Sequence, residues 1–197
     1  MSLSARAGRQ RMGWDWGLAA TVALLASGTL PGAIAAEAMD ETFMPKGGRT
    51  LLLDFTDGGA DLPQLRVVAQ GRHDEAQWRA IVDVGKAAPA SERARATLAA
   101  YLAVNMPLPA AVAEGSDLAA HLPPDGRELA WNECQSCHSL FMGYLTQSRD
   151  EQGWRSIFLS PFHKELKLGP VEREEFARYA ARNMPMKAED VPPDLRF

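Results

Sequence analysis

Cys134 and Cys137 are the only cysteines among 197 residues, and His138 follows the second directly. Two thiols three positions apart lie on one turn of helix, close enough to form thioethers to the two vinyl groups on one edge of a porphyrin. The imidazole next in the chain then reaches the iron from below. Cys134-Gln135-Ser136-Cys137-His138 is thus a C-x-x-C-H sequence, the attachment signature of c-type haem. Other uses of the pair fit less well. A thioredoxin-like couple needs a βαβ setting that is not found around residue 134, and a structural zinc site needs a second pair of ligands that the cysteine count does not supply. A disulfide across two intervening residues is strained and leaves His138 without a role.

The N-terminus bears on where such chemistry takes place. Arg6, Arg9 and Arg11 precede an apolar run from Gly17 to about Leu30, and the small-residue sequence Ala33-Ile34-Ala35 follows. Residues 1–35 read as a secretory signal peptide with cleavage after Ala35 or Ala36, which predicts a periplasmic protein. An uncleaved membrane anchor is the alternative, and a membrane partner is expected only in that case. Without residues 1–35 the chain carries 18 basic and 24 acidic residues, a net charge of −6. That balance makes it a poor nucleic-acid ligand.

The stretch from about residue 125 to 197 resembles the c-type cytochromes, and among them small single-haem modules found alone or as electron-accepting subunits of periplasmic dehydrogenases. The residues that carry the resemblance are Cys134, Cys137, His138 and Ser139, then Trp154 after Arg149-Asp150-Glu151, then a closing helix with Tyr179. Such modules place a helix before the haem motif, and Gly126 to Glu133 with Asp125 as N-cap is the candidate.

An internal repeat precedes that module. Arg72 to Ile81 echoes Arg149 to Ile157, Tyr101 to Pro107 echoes Tyr179 to Pro185, and Gly48-Arg49 stands in the place of Gly126-Arg127, at offsets of 76 to 78 residues. Where the second copy has its haem motif, the first reads Thr56-Asp57-Gly58-Gly59-Ala60, with neither thiol nor histidine. The expected fold is mainly α: a degenerate, haem-less cytochrome-like copy over 37–110, a breaker-rich linker over 111–124, and a cytochrome c haem domain over 125–197. Residues 37–47 read as an irregular lead-in. In the first copy the segments Arg49 to Phe55 and Leu65 to Ala69 are read either as helices or, from Leu51-Leu52-Leu53 and Val67-Val68, as strands. Helices over 91–104 and 170–182 close the two copies. Glu172, Glu174 and Glu175 fall in the first turns of the latter, where a helix dipole favours negative charge and a solvated end is expected.

The repeat also sorts candidates for the sixth iron ligand. Met184 has Met106 as counterpart, so its Asn-Met-Pro setting reads as a helix ending; Met186 is matched by Leu108. His163 lies near the insertion that distinguishes the second copy, after the tryptophan helix and before the closing helix, where the resemblance implies a distal ligand. His163 is favoured over Met186, with Met142 and Met184 behind. Histidine there implies a low potential and methionine a higher one. His73 and His121 are expected at the surface, and Trp78 and Trp154 in the core.

The function expected is periplasmic electron transfer by one covalent haem c, with a redox partner such as a periplasmic dehydrogenase, for example a molybdenum-containing sulfite-oxidising enzyme, or a terminal oxidase. A haem enzyme or gas sensor with an open sixth position is the alternative; His163 with Glu165 would have to serve it. A third reading makes the first copy a lobe that docks the haem domain onto its dehydrogenase.

Overall fold

The structure, a computed structural model, describes residues 43–135, 140–143 and 145–196. Residues 1–35, expected to be a signal peptide, and Cys137, His138 and Ser139 lie outside the described residues. In chain order the helices are α1 (Gly48–Phe55), α2 (Leu62–Gln70), α3 (Glu75–Val84), α4 (Glu92–Asn105), α5 (Ala110–Ala113), α6 (Gly126–Leu129), α7 (Leu140–Gly143), α8 (Glu151–Ser156) and α9 (Pro170–Asn183). Short 3-10 turns join them, and no strand occurs among the described residues. No helix among those residues is long and apolar enough to cross a membrane.

The strand reading of the first copy is therefore corrected. Leu51, Leu52 and Phe55 are buried on one side of α1, and Leu65, Val68 and Ala69 on one side of α2, which is the three-to-four spacing of a helix face. Val67, which a strand would pair with Val68 in an apolar run, points to solvent at 72% exposure. Local chemistry starts the helices. The Asp74 carboxylate accepts from Gln77 N, Ser91 Oγ from Ala94 N, and Asp150 from Gly153 N. Asp125 and Glu128 form a reciprocal capping box at the start of α6.

Two apolar cores form, one per copy. The first gathers Leu52, Leu65, Trp78, Val82, Leu98 and Leu102; the second gathers Phe141, Leu145, Trp154, Phe176, Tyr179 and Ala180. The connecting segment is itself packed, with Ala113, Leu118 and Leu122 in the first core. The lead-in behaves reciprocally: Met44 is buried in the second core, and the Phe43 ring meets those of Phe141 and Trp131 at 5.1 and 6.1 Å.

The contacts between the copies come in exchanged pairs. The Tyr101 hydroxyl donates to Pro123 O, and the Tyr179 hydroxyl donates to Pro45 O. Asn105 Nδ2 donates to Glu175, while Asn183 Nδ2 donates to Thr97. The Arg49 guanidinium meets Glu128, and that of Arg127 meets Thr50. When residue i contacts j and the equivalent of j contacts the equivalent of i, the interface is isologous, as in a symmetric dimer, but here within one chain. Helices α4 and α9 pack along each other at its centre.

Candidate functional site

The second copy holds a cavity of about 380 Å³ between α8, α9 and the segment ahead of α7. Trp154 and Phe176 form apolar wall from α8 and α9, with Phe158 and Leu140 beside them; Cys134 and His163 are on the same lining. Such a volume and an apolar lining with few polar groups are typical of a small-molecule or cofactor site.

Cys134 reaches the cavity through a change of helix type. After α6 the chain runs through a π-helical turn, Ala130–Cys134, a local widening that recurs at functional sites. Asp125 anchors the other end of this short unit by accepting from Arg127 N and Glu128 N, each at 3.0 Å. The helix expected ahead of the C-x-x-C-H sequence is thus present, and it delivers the first thiol of that sequence to the cavity.

His163 comes from a different direction. It ends the 3-10 turn Pro161–His163, and its Nδ1 lies 2.6 Å from Ile157 O. A carbonyl oxygen only accepts, so Nδ1 carries the proton and, in the neutral ring, Nε2 carries the lone pair. That is the arrangement in which a histidine ligates a metal, its other nitrogen held by a backbone carbonyl. The ring is half-buried.

The structure thus brings Cys134 and His163 to one cavity. Met142, Met184 and Met186 are not among its lining residues. Met184 caps α9 as Met106 caps α4, each amide bonding back into its helix. The Met186 amide donates to Leu145 O, as the Leu108 amide does to Ala69 O. Both methionines therefore repeat backbone roles of the first copy. His73 and His121 are exposed, and Trp78 and Trp154 are buried, as the sequence predicts.

One expectation about α9 is overturned. Glu172 does serve the helix end, accepting from Gly169 N, and Glu174 pairs with Arg155 and Arg178. Glu175 is no solvated end residue: it is 2% exposed, in the seam between the copies. Successive helical residues turn by about 100°, so position 175 faces inward while Glu172 and Glu174 stay at the surface.

The Trp154 indole Nε1 is buried without a partner among the described residues, on the wall of the cavity. Trp78 Nε1 in the first copy is likewise unpartnered, so the indole alone does not point to a ligand. At the position of Cys134 the first copy has a turn instead. Its Thr56 hydroxyl turns back to Leu52 O, Asp57, Gly58 and Gly59 follow with positive φ, and a Cβ on Gly59 would sit 3.0 Å from the Cβ of Ala119. The connecting segment therefore lies directly against the turn at Asp57–Gly59. No protein-family model matches the chain, and neither a curated protein nor a solved structure matches it.

Proposed function

We propose that this chain is an exported electron carrier with one haem c, attached through Cys134 and Cys137 and ligated by His138 and His163. The observation that carries the reading is the meeting of the first motif thiol with His163, its Nδ1 proton already committed to Ile157 O, on one apolar cavity. The residues present fit the group. They supply a thiol, an imidazole of suitable tautomer, ring-shaped apolar side chains, and a buried indole N–H able to donate.

Haem, when bound there, would supply a one-electron ferric/ferrous couple. The chain's own part is to bind, orient and shield. Trp154, Phe158 and Phe176 would exclude water, Cys134 and Cys137 would hold the group covalently, and the Ile157 carbonyl orients the His163 ring. The partner is a redox protein in the periplasm, a dehydrogenase or an oxidase. Glu133 also lines the cavity, as a half-buried carboxylate.

The test is a pyridine haemochrome assay and an intact mass on protein exported with the haem-attachment machinery. A red protein heavier than the processed chain by one haem is expected, with a six-coordinate low-spin spectrum. His163→Ala should turn that spectrum high-spin, and Met186→Ala should leave it unchanged. A colourless product with the bare chain mass would overturn the reading.

A further inference from the structure

The seam between the two copies contains two buried carboxylates. Asp125 is fully buried and accepts four backbone N–H groups: Arg127 and Glu128 of its own helix α6 at 3.0 Å each, and Arg49 and Thr50 of α1 at 3.0 and 3.4 Å. Its negative charge is thereby well compensated. Glu175 of α9 receives only two donors, Gly126 N and Asn105 Nδ2, each at 3.2 Å. Other charged or titratable groups around it are few. Tyr101 of α4 is a buried phenol raised well above its ordinary value by burial and then by Glu175, with Arg49 and Glu128 nearby. Arg178, next along α9, has its guanidinium engaged by Glu174 and Glu75.

We propose that Glu175 is a proton-controlled latch in this seam: as the neutral acid it lets α9 pack against α4 and α6, and its ionisation loosens that packing. A second negative charge beside Asp125, in a buried seam where the cation acting on it, Arg178, is already engaged by Glu75 and Glu174, is relieved most readily by water reaching the carboxylate. Burial, and next the Asp125 charge, push the Glu175 carboxyl up to about 8, against 4.5 in the open chain. The adjacent Phe176 lines the cavity, so movement of α9 at Glu175 is felt at the candidate site. The inference does not depend on haem being present.

The sign of the pH effect is fixed by linkage. Between the unfolded and folded values the native chain holds one proton more than the unfolded chain, so stability falls as pH rises through that window and levels off above it. The full-length protein should therefore show an unfolding equilibrium constant rising by up to tenfold per pH unit from about pH 5 to 8 relative to Glu175→Gln. Infrared difference spectra of the wild type should show a buried protonated-carboxyl band that disappears around pH 8, and amide exchange at the ends of α4 and α9 should quicken beyond its intrinsic base-catalysed rise. The infrared arm needs no variant, so a Glu175→Gln chain that fails to fold leaves the test intact. Absence of a protonated-carboxyl band at pH 6, or parallel stability profiles for wild type and variant, would overturn the proposal.

Discussion

The two copies share their helix contacts almost pair for pair, yet at the matched tryptophans one core is filled and the other borders a cavity. In the first, Leu65 and Leu98 pack around Trp78, and the connecting segment adds Leu118 and Leu122. In the second, Trp154 and Phe176 border a cavity of about 380 Å³ instead. The reciprocal tyrosine, asparagine and arginine contacts are therefore the scaffold's requirement, and what differs between the copies reports on the site. The comparison also explains one asymmetry within the scaffold. Asp125 caps α6 and bonds the first amides of α1 as well, whereas its counterpart before α1 is Gly47, where a Cβ would fall 2.0 Å from the Asp125 carboxylate. One carboxylate serves two helix starts because there is no room for a second.

The sharpest way to break the comparison is to truncate the matched tryptophans. Trp78→Ala should cost roughly 3–5 kcal/mol, because a fully packed indole is lost from a closed core. Trp154→Ala should cost less in protein without haem, since part of the indole already borders empty space and loses fewer contacts. Denaturant midpoints measure both. Equal losses would mean that the hollow and closed cores pack their indoles alike, and haem loading should raise the cost at Trp154 alone.

Next come the glycines at which the first helix of each copy crosses the last. A Cβ on Gly48 would lie 2.1 Å from the Cβ of Tyr101, and one on Gly126 would lie 2.1 Å from the Cβ of Tyr179. Neither tyrosine Cβ can rotate away, so the helices must part. Gly48→Ala and Gly126→Ala should each destabilise by about 1–3 kcal/mol or more, and by similar amounts, in thermal melts. A large inequality would show that the crossings are not equivalent. Asp125→Ala follows, with an expected loss of about 2 kcal/mol from removing a carboxylate that holds two helix starts. Asp125→Asn keeps the capping oxygen and removes the charge beside Glu175, so the infrared titration of Glu175 should move to lower pH.

Much of this scaffold is legible in the sequence. The echo of Gly48-Arg49 in Gly126-Arg127, and of Asn105-Met106-Pro107 in Asn183-Met184-Pro185, marks residues that turn out to make the same contacts. The cap at Asp125 is local chemistry and is read correctly, and the caps at Asp74, Ser91 and Asp150 obey the same local rule. What is not legible is long-range. Leu51-Leu52-Leu53 suits either period until its partners are known, and the breaker-rich connection looks exposed although Leu118 is fully buried. The burial of Glu175 follows from the exchange of contacts between copies, which no single-copy pattern encodes. Within the candidate site, Cys134 is evident from spacing, whereas the hydrogen bond from His163 to Ile157 O depends on how a 3-10 turn folds back.

The smallest expected effect concerns the charged strap that joins the copies at the surface. Glu75 of α3 pairs with Arg178 and Arg182 of α9, and Glu151 of α8 pairs with Arg182 and Arg155, so a first-copy carboxylate shares its cations with a second-copy one. These side chains are 17–35% exposed except Arg155 at 42%, which places them between free surface pairs and buried ones. Glu75→Gln should cost on the order of 1 kcal/mol or less, and the loss should shrink as salt is raised. Glu151→Gln leaves Glu75 free to hold Arg178 and Arg182 and should cost less than Glu75→Gln. A double-mutant cycle on the two measures whether they act through the shared arginine; additive losses would mean that Arg182 holds each carboxylate independently and that the strap is two separate pairs.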